Sequence, residues 1–176
     1  TSKQLSNLHI VNDHIFHHKV LRINYTTYDV HRDQDSINPQ THSDVIVLAN
    51  ESETDSTHPY WYARIIGIFH VDICYNNPEG DFKNQKVFQI DFAWVCWFGF
   101  DASHHSGFTA KWPHYVGIVD GTDPGAFGFL NLDDIIQAVH LIPVYKLGQI
   151  PEFLPPSIAC WPEDKDQDYK WYSVDM

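Results

Sequence analysis

Two strand-like segments, Tyr60 to Ile73 and Val87 to Phe98, constrain this chain more than any other part of it. In the second, Phe88, Ile90, Phe92, Trp94, Cys96 and Phe98 recur at period two, opposite Gln89, Asp91 and Ala93, which is the alternation of an antiparallel strand with one covered face. In the first, Trp61, Ala63, Ile65, Gly67, Phe69, Val71 and Ile73 form the apolar register. Tyr60, Tyr62, Arg64, His70 and Asp72 form the other register. That strand is therefore expected to give a core wall on one side and a polar, aromatic outer face on the other. Asn76, Asn77, Pro78, Glu79, Gly80 and Asp81 between the segments are turn chemistry, so the pair reads as a long central hairpin.

The rest of the chain repeats this vocabulary in shorter words. Leu21, Ile23 and Tyr25 alternate with Arg22, Asn24 and Thr26, predicting a strand over 20–30, and residues 29–43 read as a loop. Asp44 to Ala49 is a short apolar run of the kind buried on both sides. After the hairpin come Asp101 to Gly107, read as a loop, an apolar stretch to Val119, and dense turn chemistry over 120–125. Asn131 is placed to cap a short helix over 132–138, with Asp133 and Asp134 favourable at its positive end. Val139 to Tyr145 reads as a closing strand that Pro143 keeps at an edge.

With 176 residues the chain has room for one domain with a real core. The division expected is an N-terminal arm over 1–19, a β-barrel domain over 20–150, and a C-terminal wrap of the same domain over 151–176. The fold class is mainly β: a single-domain bent sheet or barrel of five to seven strands, with one short helix. Pro151, Pro155, Pro156 and Pro162 argue for the wrap, and Tyr169, Trp171 and Tyr172 argue that its end docks.

Charge narrows the function. A net charge of -12 with 11 Lys and Arg and no basic run works against direct nucleic-acid binding, which depends on neutralising phosphates. A basic partner suits it better. Cys74, Cys96 and Cys160 have no zinc-ribbon or redox spacing, and their odd number fits reduced thiols in an intracellular compartment. No stretch has membrane-spanning length, and no signal-peptide pattern opens the sequence.

Chemistry-bearing residues are numerous but do not form a catalytic signature. His14 and His18 are spaced for one helix face, yet no third metal ligand sits at a matching spacing and the segment lacks helical periodicity. Ser103, His104, His105 and Ser106 lack both an orienting group and an oxyanion donor in sequence. No cofactor and no structural metal are expected. The candidate ligand-binding residues are Tyr60, Tyr62 and Trp97, outside the assigned core registers, with Glu51, Glu53 and Asp55 in the preceding loop. Aromatic faces beside carboxylates are what recognition of a cation requires. The alternatives are a metal-assisted hydrolase built on residues such as His104, His105 and His114, and a structural or dimerising domain.

Several phrases resemble a known family. Leu21 to Asp29, Arg32 to Asn38, Pro59 to Phe69, Trp97 to Gly99, Asp123 to Leu130 and Ala138 to Pro143 resemble a domain that accompanies Kyakuja, Dileera and Zisupton-type transposases in mushroom-forming fungi. The similarity spans residues 20–176. A looser one, carried by Tyr62 to Ile65, Trp97 and Phe98, and Asp133 to His140, is to bromo-adjacent homology domains, which are SH3-like β barrels. Gly99 and Phe100 stand where those domains carry an arginine. Together the resemblances imply a nuclear protein-interaction module of a mobile-element protein, with a basic peptide such as a histone tail as its partner.

Overall fold

A computed structural model describes residues 8–26, 29–49, 59–75, 86–100, 115–150 and 168–175, and nearly all their regular structure is extended. The strands are β1 (Leu8–His18), β2 (Leu21–Thr26), β3 (Arg32–Ile37), β4 (Asp44–Leu48), β5 (Tyr60–Tyr75), β6 (Val87–Phe100), β7 (Tyr115–Ile118), β8 (Phe127–Asn131), β9 (Ile135–Ala138), β10 (His140–Pro143), β11 (Gln149–Ile150), β12 (Asp168–Tyr169) and β13 (Tyr172–Asp175). The class is the mainly β, bent-sheet domain that the alternation predicts. No helix among the described residues is long and apolar enough to cross a membrane.

The central hairpin is the spine of the sheet. β5 and β6 pair from Tyr62 opposite Phe98 to Cys74 opposite Val87. Their register shifts between Ile65 and Gly67, leaving Ile66 as an extra residue on one strand, and such a bulge bends and twists the ribbon. On the Tyr60 side of the bend, β4 adds to β5 and β9 adds to β4, while β7, β13 and β10 follow one another beyond β6. On the other side β1 lines β5 from Ile68 to Tyr75, and β8 lines β6 from Phe92 to Cys96. The hairpin thus has a curled inner half and an outer wing.

β9 and β10 stand at opposite ends of the strand order, yet only Val139 separates them in the chain. The Val139 N–H donates to the Asp44 carbonyl at 2.9 Å. Backbone pairing leaves the sheet open, and the chain itself ties its two ends together. Inside this curl lie Ile46, Tyr62, Ile66, Cys96, Phe98, Val116, Ile118, Leu141, Tyr172 and Val174. The opposite face is a second core of Val45, Val47, Ala63, Ile65, Ile68, Ala93, Val95, Leu130 and Ile135. The β2–β3 hairpin covers it with Leu21, Ile23 and Ile37. The inner half is therefore buried on both faces, where the alternation predicted one.

Four expectations change. The arm over 1–19 contributes a true sheet strand, because β1 pairs with β5; its register breaks between Ile10 and Ile15, where Asn12 and Asp13 take φ of 57° and 52°, and that break hides its alternation. The loop read over 29–43 contains β3, whose polar sequence fits a surface hairpin in which only Asp35 and Ile37 are drawn inward. Asn131 does cap, accepting from the Asp133 N–H at 3.2 Å, but the helix is one 3-10 turn, Leu132–Asp134. From Ile135 the chain is extended, since the edge of β4 offers ladder partners to β-branched residues that favour strands. The described strands are also more numerous than the five to seven expected.

Two expectations about the end of the chain hold. β10, with Pro143, is the last strand in the order, so the missing N–H falls at an edge. The chain end docks through buried Tyr172 and Val174. It does more than wrap: β13 is an interior strand, between β7 and β10.

Candidate binding surface

Antiparallel partners place their side chains on the same face of a sheet. Tyr62 is paired with Phe98, and Ala63 with Trp97, so Tyr62 and Trp97 point to opposite sides. Tyr62 is 2% exposed inside the curl, where its ring meets Phe100 edge-on at 5.9 Å, and burial pushes its phenol pKa up to about 12, with Tyr60 adding to the shift. Tyr60 packs half-buried against that same core. Trp97 packs half-buried on the other, its ring meeting Trp61 edge-on at 5.7 Å. The three aromatics do not converge into a cage. The sequence reading erred by treating the non-core registers of the two strands as one face. Glu51, Glu53 and Asp55 lie outside the described residues, as do His104, His105, His114 and Cys160.

A group of exposed apolar side chains gathers on the wing. Beyond the bulge Phe69, Val71 and Ile73 face the same way as Phe92, Ile90 and Phe88, their partners on β6. Ile10 and Ile15 of β1 join them opposite Ile73 and Val71, Leu8 lies opposite Tyr75, and Phe129 of β8 lies opposite Trp94. Leu8, Ile10, Ile15, Tyr75, Phe88, Ile90 and Phe129 are all exposed, Phe129 to 76%. Rings run across the strands in contact: His17 to Phe69 at 5.2 Å, Phe69 stacked on Phe92 at 5.6 Å, and Phe92 edge-on to Phe129 at 5.6 Å. These registers carry no Asp, Glu, Lys or Arg. Lys86 borders them, its ammonium 5.0 Å from the Phe88 ring centroid.

The other face of the wing is polar. His70 pairs with Asp91 and Asp72 with Gln89. The His70 ring is stacked on Phe16 at 4.5 Å, and its Nδ1 lies 2.5 Å from Nε2 of His18. A groove of about 1020 Å³ is bounded here by β2, the wing and the turn after β8. Leu21, Ile23, Ile68, Leu130 and Ile135 give it apolar lining, Ile90, Phe92 and Phe129 of the apolar face also line it, and Asp91, Asp133, Gln89, Asn24 and Arg22 give it polar groups. β8 stops pairing at Phe92, so from Val87 to Asp91 no described strand lies on that side of β6. An open ladder edge therefore borders an amphipathic groove. The sequence places Asp91 on a polar register and Asp133 in a helix start, and nothing local announces that folding brings them to one groove.

A second, smaller cavity of about 240 Å³ lies at the mouth of the curl, lined by His42, Asp44, Arg64, His140, Tyr169 and Tyr172 among others. Arg64 is 5% exposed and donates its Nε–H to Asp44. Its guanidinium lies 5.5 Å from the Phe98 ring centroid and 5.7 Å from that of Tyr172. The Ser43 hydroxyl is buried without a hydrogen-bond partner among the described residues. These contacts hold the curl together. Among the described residues no three His, Cys, Asp or Glu side chains gather as a metal site would require.

Compared with known proteins, this chain matches no family model, no curated protein and no solved structure.

Proposed function

We propose that this chain is a protein-interaction module that takes an extended, basic polypeptide segment into the groove between β2 and the wing. The observation that carries the reading is the edge of β6 from Val87 to Asp91, which no strand among the described residues pairs, along that groove. An extended peptide can continue the ladder there in line with β8, gaining affinity from main-chain hydrogen bonds and specificity from alternate side chains. Asp91 and Asp133 line the same groove and favour Lys or Arg, and a net charge of -12 steers a basic partner from a distance. In the mobile-element setting that the sequence resemblance implies, a histone tail in the nucleus is a partner of this class.

The test is titration calorimetry with a lysine-rich peptide, with the same peptide carrying glutamine for lysine, and with a short DNA duplex. The parent is expected to take the lysine peptide alone, more weakly as salt rises. Asp91→Asn and Asp133→Asn should each weaken it about tenfold, the equivalent of ~1.4 kcal/mol. Equal binding of both peptides, or tight binding of the duplex, overturns the proposal.

A further inference from the structure

The apolar face of the wing is the side of the sheet opposite His70 and Asp91; Phe69, Ile90, Phe92 and Phe129 of this face also line the groove, whereas Ile10, Ile15, Tyr75 and Phe88 lie clear of it. Ile10, Ile15, Tyr75, Phe88, Ile90 and Phe129 are exposed together on four adjacent strands. At ordinary side-chain sizes the exposed apolar residues of this face present on the order of 700 Å², close to the ~800 Å² per partner of a stable protein–protein interface and at the upper end of what a monomer leaves open. We propose that this face is covered by the same face of a second copy, sheet packed on sheet about a two-fold axis.

Two features select a second copy over a basic partner. The face offers no carboxylate to receive Lys or Arg, so nothing on it uses the charge that the rest of the chain carries. An uncharged apolar sheet face is suited to another of its kind: facing sheets pack ~10 Å apart with interdigitated side chains, and a two-fold interface uses the same patch on both copies. Repulsion between two chains of -12 is screened over ~8 Å at physiological ionic strength, while the apolar contact is not. Salt therefore acts oppositely on the two surfaces, strengthening the dimer and weakening the basic peptide.

Sedimentation equilibrium over a range of protein and salt concentrations tests this. The parent is expected to be a dimer that tightens as salt rises. Ile15→Glu and Phe88→Glu, both clear of the groove, should each raise the dissociation constant about a hundredfold or more, as for loss of an interface anchor. Because Ile15 is 57% exposed, its replacement should leave the circular dichroism and melting of the monomer intact. Gln89→Glu, on the face of β6 opposite Phe88, should leave the dimer unchanged. Lysine-peptide binding in the Ile15→Glu monomer separates this proposal from the groove. A parent that stays monomeric at all concentrations, or Ile15→Glu and Phe88→Glu variants that dimerise like the parent, overturns it.

Discussion

Arg64 and Asp44, register partners on β5 and β4, meet at 2.9 Å, with only 6% and 15% of their side chains exposed. Two rings, those of Phe98 and Tyr172, flank the guanidinium. Removing one ion of an enclosed pair strands the other away from water, which usually costs more than the pair itself contributes. Asp44→Ala should therefore lower the unfolding free energy by about 3 kcal/mol, whereas the double replacement Asp44→Leu with Arg64→Met should cost less than Asp44→Ala alone. Urea unfolding of the three proteins checks this. A single variant as stable as the parent would show the charge to be solvated.

Tyr62 makes an alkaline prediction. Its neutral phenol is the form the core accepts, so the folded pKa of about 12 lies above the ordinary 10.0. The stability tied to it is complete below pH 10.0 and is lost as pH rises from there through about 12, because the unfolded chain then gives up the proton first. A tyrosinate absorbance titration should contain a late step that Tyr62→Phe removes. Persistence of that step in the variant would assign it to another residue.

Val30 is 81% exposed and has φ of 64°, a left-handed conformation that a β-branched residue adopts only at a cost. It lies in the connection between β2 and β3 and gains no burial there. Val30→Gly should raise stability by about 1 kcal/mol, reduced somewhat by the extra freedom of glycine when unfolded. Thermal melting decides it, and a lower melting temperature would contradict the argument.

Gly117 on β7 has no room for a side chain. A Cβ there would sit 2.6 Å from the Lys170 carbonyl oxygen and 2.8 Å from the Trp171 ring. Gly117→Ala should cost about 2 kcal/mol as β13 is forced outward. Hydrogen exchange should localise the loss to β7, β10 and β13, and a uniform effect across the sheet would argue for another cause.

The hairpin was legible in the sequence because Phe88 to Phe98 and Trp61 to Ile65 alternate cleanly, and alternation reports which residues share a face. It does not report how far a strand keeps its phase. A single extra residue at Ile66 moves Phe69, Val71 and Ile73 to the face opposite Trp61 and Ala63, and the isolated Gly67 beside it is the one local sign of the slip. The same blindness put Tyr62 and Trp97 on one face, and the pairing places them on opposite ones. β3 was missed for another reason: a surface hairpin drawn inward at Asp35 and Ile37 alone has the composition of a loop. Asp91 and Asp133 are 42 positions apart, and their meeting at one groove depends on β8 pairing with β6, which no local pattern encodes.

The position of β13 has a consequence for how the protein is made. β7 and β10 are synthesised well before residues 172–175, yet β10 meets its neighbour, and β7 its second one after β6, only when β13 slides between them. Until then both present unpaired backbone edges, and the curl enclosed by Tyr172 and Val174 lacks one wall. A ribosome cannot release this half of the sheet in finished form as it translates. Completion of this half waits for β13, and during that interval the chain is most exposed to pairing with the wrong partner.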